Sequence, residues 1–232
     1  MLQRNTRLLI GLSGIFGTIF LSIYFGVGFA VGLAQLQPSA TQAEVMQAAT
    51  QNHTLLFLGA WFQATGALLS VIFFLSLVHR ARASTSLPGL LTIVGSTVLL
   101  AVVLLEGVFT MDMAQAAVDG HQMASLTSFD VMTVFTYAYP IAPAPLIFLA
   151  LGVVILRSQI LPRAFGTVAL GLGVAFELAG IISLFTSSLL TLIVLSLQAI
   201  WVLVAAIVWL TRRASVPVAN TDNLSLQGSQ AL

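Results

Sequence analysis

The chain has 232 residues, of which 59% are hydrophobic and only 6% charged. A soluble domain carries about a quarter charged residues, so this chain cannot cover a water-facing surface, and the solvent for most of it must be lipid. Eight Arg stand against seven acids, a net charge of +1, which excludes the basic surface that a nucleic-acid partner needs.

Lys and Cys are both absent. That removes Schiff-base chemistry, disulfides, thiol catalysis and Cys-ligated metal centres. The three His, at positions 53, 79 and 121, all lie outside the deep apolar runs. No cofactor or metal site is expected.

A membrane-spanning helix needs about 20 mainly apolar residues, and six stretches qualify. The first covers about 8–33. Its apolar run of about 26 residues exceeds the 7–15 of a signal-peptide core, so it reads as an uncleaved span. In the loop that follows, Thr41 with Glu44 three residues later forms a capping-box pattern. A short helix should start there and lead into the second span, about 55–78.

The third span covers about 87–110, with Pro88 at its start, where a missing N–H costs little. It should project beyond the bilayer as far as a C-cap at Gly120. The fourth covers about 129–156 and holds Pro140, Pro143 and Pro145 within six residues, so it should be kinked or broken there. The fifth covers about 164–185 and the sixth about 189–210. Each is a near-continuous apolar run rather than an alternation, which fits helices and not a barrel. The expected fold is therefore an all-α six-helix transmembrane bundle over 1–213. A polar, disordered cytoplasmic tail is expected over 214–232.

The Arg pairs test this division independently. Arg4 and Arg7 precede the first span, Arg80 and Arg82 separate the second from the third, Arg157 and Arg163 separate the fourth from the fifth, and Arg212 and Arg213 follow the sixth. With six spans all four regions fall on one side. The opposite loops hold no Arg but contain Glu44, Asp112 and Asp119. The positive-inside rule then predicts cytoplasmic termini.

Ionisable groups within a span are costly and each needs a reason. Glu177 lies about 20 Å into the fifth span. It falls between Gly173 and Gly180 of a seven-residue stripe that begins at Gly166. Small-residue stripes admit a neighbouring helix, so Glu177 is expected to face the bundle, either as a proton or cation ligand or as a protonated structural hydrogen bond. Glu106 falls near the outer end of the third span. It either joins Glu177 in one cluster or reaches interfacial water.

Asp130 opens the fourth span. Thr127, three residues earlier, makes it a capping box, while Thr133 and Tyr137 make it the first member of a polar stripe aimed at the bundle. Gln63, Gln198 and Tyr24 are the other polar groups at depth, and Trp61 and Tyr139 are candidates to line a cavity. Each also reads as an interhelical hydrogen bond.

The second-span segment Leu58-Gly59-Ala60-Trp61-Phe62-Gln63-Ala64-Thr65-Gly66-Ala67-Leu68-Leu69, its exit Val78-His79-Arg80-Ala81-Arg82, and the Leu161-Pro162-Arg163-Ala164-Phe165-Gly166 that begins the fifth span resemble a family of small bacterial membrane proteins, the domain of unknown function numbered 4386. The resemblance implies a six-helix protein of the bacterial inner membrane and brings no activity or catalytic residues. The function expected from the residues is transport of a proton, cation or small solute through an outward-facing acidic pocket. The alternative is a sensor or accessory protein that binds a small apolar molecule or lipid. An intramembrane enzyme lacks the His or Cys its chemistry would need.

Overall fold

The computed structural model describes residues 2–32, 41–183, 185 and 189–212. The tail over 214–232 lies outside the described residues. Eight helices account for nearly all of what is described: α1 Leu2–Ala30, α2 Gln42–Gln51, α3 His53–Arg80, α4 Leu87–Val118, α5 Gln122–Ile141, α6 Pro143–Ser158, α7 Arg163–Ser183 and α8 Leu189–Thr211. Among the described residues, six spans are long and apolar enough to cross a membrane, with α5 and α6 together making the fourth over Gln122–Ser158.

Local chemistry sets the ends. Thr41 caps α2 through the reciprocal box, its hydroxyl taking the Glu44 N–H while Glu44 takes the Thr41 N–H. Ser86 caps α4, accepting from the Gly89 N–H, with Pro88 in the first turn. At the far end of α4, Gly120 adopts φ +77. The His121 N–H then reaches Ala116 O and the Gly120 N–H reaches Ala117 O, which closes the helix in a Schellman turn that favours Gly. At 32 residues, α4 is about 48 Å long and overshoots the hydrocarbon layer.

That turn corrects the fourth span. The helix starts at Gln122, not near 129, because the backbone reverses at Gly120 before the apolar run begins. Thr127 donates to Met123 O inside the helix, so the Thr127–Asp130 pair caps nothing. α5 contains Pro140 and ends at Ala142, whose φ of −126 and ψ of −65 separate it from α6, which begins at Pro143.

Antiparallel packing puts one end of every span beside Arg. A Cβ at Gly14 would stand 2.8 Å from Ala206, and one at Gly17 would stand 2.7 Å from Ser70 Oγ. One at Gly59 would touch Val27, and one at Gly152 would stand 2.9 Å from Gly166 O. Arg7 Nε donates to Trp209 O, and Arg212 donates to Ile160 O. We call this the arginine end. The opposite, acidic end is capped by α2, whose Val45 and Ala49 pack on Leu56, Met113, Ala117 and Phe129. The larger core, toward the arginine end, is built around Phe148. Its ring centroid lies 5.8 Å from Phe74, 5.8 Å from Phe176 and 5.6 Å from Trp201.

Candidate functional site

A cavity of about 430 Å³ lies among α1, α3, α4, α5 and α8. One face of α1 (Thr18, Leu21, Ser22, Phe25, Phe29) and one face of α8 (Leu192, Leu195, Ala199, Val202) form two walls, following the three-to-four-residue spacing of a helix face. The size falls in the range of small-molecule sites, about 300–1,000 Å³.

Glu106 is the acid of this cavity. It is 8% exposed, and its Oε1 accepts the Tyr24 hydroxyl at 2.9 Å. Gln63 from α3 is 3% exposed, and its Oε1 is buried without a hydrogen-bond partner. Such an orphan acceptor costs about 1–3 kcal/mol when nothing occupies its lone pairs. A third polar group is the pair in which the Tyr139 hydroxyl donates to Gln198 Oε1. The hydroxyls at the α1 and α8 walls are satisfied within their own helices: Thr18 by Gly14 O, Ser22 by Thr18 O and Ser196 by Leu192 O.

The polar groups share a level. At 1.5 Å per residue, Tyr24 lies about 26 Å from Arg7, Gln63 about 26 Å from Arg80 and Glu106 about 28 Å from the start of α4. The apolar lining lies closer to the arginine end: Phe74 at about 9 Å, Val202 at about 15 Å and Leu99 at about 18 Å by the same measure. The site therefore has a polar rim toward the acidic end and an apolar floor closer to the arginine end.

Of the residues singled out in the sequence, Glu106, Gln63, Gln198, Tyr24 and Tyr139 meet at this cavity. Tyr137 lies in α5 with its side chain outside the described part. The remaining three are corrected by the structure. Glu177 is exposed. Its stripe does pack, with Gly173 against Leu149, Gly166 against Leu156 and Gly180 against Ile141. The buried arc of α7, however, runs from these glycines toward Ala169, Leu172, Phe176 and Ala179. At about 100° per residue Glu177 sits about 40° beyond Gly173 on the other side, just past the rim of that arc.

Asp130 is exposed as well. It is nine residues into a helix that begins before the expected start, so its direction differs from the one the shorter span implied. Trp61 is 55% exposed and packs on the outside of α1 and α3, its ring 5.8 Å from Phe20 and 5.1 Å from Phe62. The residues missed in the sequence are Thr18, Ser22 and Ser196. Their signal was the repeat of Thr18 and Ser22 four residues apart in an otherwise apolar span.

Among the described residues, no three His, Asp or Glu stand close enough together to hold a metal ion. No family model matches the chain, and no curated protein or solved structure is significantly similar to it.

Proposed function

We propose that this is a multi-pass membrane protein that binds a small, largely apolar ligand in the cavity. In this reading the arginine end faces the cytoplasm, as the positive-inside rule requires. The observation that carries it is the Glu106–Tyr24 pair, a buried carboxyl held by a hydroxyl, on the wall of an otherwise apolar void that Gln63 also lines. An apolar pocket with few convergent polar groups is the usual form of a ligand site. The Glu106 carboxyl accepts hydrogen bonds, as it does from Tyr24, which suits a ligand whose polar end donates one.

Ion-coupled transport is the second reading. The observation in its favour is the break at Ala142, three residues from Tyr139 on the cavity wall, since interrupted helices line many transport sites. It loses the support expected of Glu177, which does not reach the cavity. The resemblance to the bacterial family numbered 4386, and with it a place in a bacterial inner membrane, belongs to the same proposal.

The test is ligand-induced thermal stabilisation of the purified protein with a panel of small alkyl amines, alcohols and carboxylates. At least one hydrogen-bond-donating member should raise Tm for the wild type and not for Glu106→Gln. Equal shifts in both proteins for every member would refute a site at Glu106.

A further inference from the structure

The cavity is bounded on one side by α1 and α8, and these two helices are not in contact along their whole length. At the arginine end they are closed: a Cβ at Gly11 would overlap Leu210, one at Gly14 would stand 2.8 Å from Ala206, and Arg7 Nε holds Trp209 O at 2.9 Å. Toward the acidic end they part. A Cβ at Gly26 or Gly28 would meet nothing within 4 Å. Phe25 is 38% exposed and Phe29 is 52% exposed, although both helices still turn the same faces toward the cavity. Ser22 and Ser196, one on each helix and both exposed, flank the gap. These positions lie within the apolar spans, so the gap opens sideways, where hydrocarbon rather than water is the surrounding medium.

The vertical order of groups is that of a lipid leaflet. Acceptors stand at about 26–28 Å from the arginine end, near where a bilayer of about 30 Å has its far interface. The apolar floor of Phe74, Leu99 and Val202 lies closer to the arginine end. A molecule already dissolved in the leaflet at the acidic end would have its polar head at the level of Glu106 and its chain at the level of this floor. It would need no reorientation to pass between α1 and α8.

From this we infer that the cavity takes a single-chain amphiphile from the leaflet at the acidic end, admitted laterally between α1 and α8. Its amino or hydroxyl head donates to Glu106 beside Gln63, and its chain lies over Phe74, Leu99 and Val202. The inference rests on the proposed ligand-binding role of the cavity and names its ligand class and route. An anionic head is disfavoured, because the Glu106 carboxyl at this level presents oxygen.

The experiment uses the full chain in phosphatidylcholine vesicles loaded with dodecylamine that carries a diazirine at the end of its chain. Label positions are read by peptide mass spectrometry. Label is expected around Phe74, Leu99 and Val202, and the matched dodecanoate should label about tenfold less, the discrimination of one charge-assisted hydrogen bond. Gly28→Trp, outside the cavity lining, narrows the gap and should slow loading about tenfold without moving the label. Both variants are compared with wild type by size-exclusion profile and Tm, and Glu106→Gln is near-isosteric. If the wild type carries no label at the cavity residues, the ligand-binding reading itself falls; if Glu106→Gln labels as fast and as fully as wild type, the head contact with Glu106 is overturned. If Glu106→Gln loses the label while Gly28→Trp loads at the wild-type rate, the site stands and the lateral route is overturned. Label confined to the acidic-end residues of α3 and α4, or equal labelling by dodecanoate, overturns the amphiphile orientation or the head preference respectively.

Discussion

Tyr24 and Glu106, 82 residues apart in the chain, meet through a 2.9 Å hydrogen bond that ties α1 to α4 across the cavity rim. Removing the hydroxyl in Tyr24→Phe takes a donor from a buried carboxyl and should destabilise the protein by about 1–2 kcal/mol. A double-mutant cycle with Glu106→Gln, followed by thermal unfolding in detergent, should return a coupling of about 1 kcal/mol, in line with interhelical hydrogen bonds in membranes. Additive losses would mean that the two side chains do not act on each other.

Glycines on α1 and α3 differ sharply in what surrounds them. At Gly66 a Cβ would stand 2.9 Å from the backbone N of Leu21, and at Gly17 it would stand 2.9 Å from the backbone N of Ser70. Neither backbone yields without separating the helices, so Gly66→Ala should cost about 1–3 kcal/mol as overpacking does. Gly26, with open space around it, should tolerate Ala and gain up to about 1 kcal/mol from helix propensity. Paired Tm measurements on the two variants check the sign of the difference.

Glu177 is expected to be dispensable for the cavity. Glu177→Gln and Glu177→Leu should leave ligand-induced stabilisation unchanged, because the side chain is exposed on α7. Leu at this depth removes a carboxyl from an apolar surround and should leave the protein at least as stable as wild type. A loss of binding in Glu177→Gln with an unchanged Tm would contradict the position of this residue.

The capping box at α2 gives a pH dependence with a definite sign. The Thr41 backbone N–H, and secondarily its hydroxyl, holds the Glu44 carboxyl below the ordinary glutamate range. A depressed carboxyl contributes stability that is present above its unfolded value and lost as pH falls through the folded one. Protection of the amides in residues 42–51, taken relative to the intrinsic exchange rate at each pH, should therefore fall in mildly acidic solution while that of the spans is kept. Thr41→Val should raise the Glu44 titration midpoint, followed by the carboxyl chemical shift of that residue.

The spans were readable because lipid imposes a simple rule: long apolar runs become helices. The ends were readable where a side chain or a glycine does the terminating, as at Thr41, Pro88 and Gly120. The fourth span was misread by seven residues because its first two turns lie above the hydrocarbon and carry Gln122, Ser125 and Thr127 rather than an apolar run. For the cavity, Glu106, Gln63 and Gln198 were found because a polar group at depth needs a partner, and these have either a partner or a void. Glu177 failed for a different reason. A seven-residue glycine repeat marks where two helices come closest, but it says nothing about which flank of that line is buried. The answer depends on Phe176 and Ala179, which the repeat does not include.

The wall formed by α1 and α8 joins groups as far apart in the chain as Arg7 and Trp209, 202 residues from one another. Helices inserted one after another during synthesis can form the α1–α3 and α3–α4 packing early, and with it the Tyr24–Glu106 bond. The last wall waits for α8. The chamber is thus finished only when the ring of spans closes, and until then the Gln63 and Glu106 rim is open to the bilayer along a whole flank. A polypeptide halted before residue 189 would hold the rim without a container. Assembly and the capacity to retain a ligand are for this reason a single event.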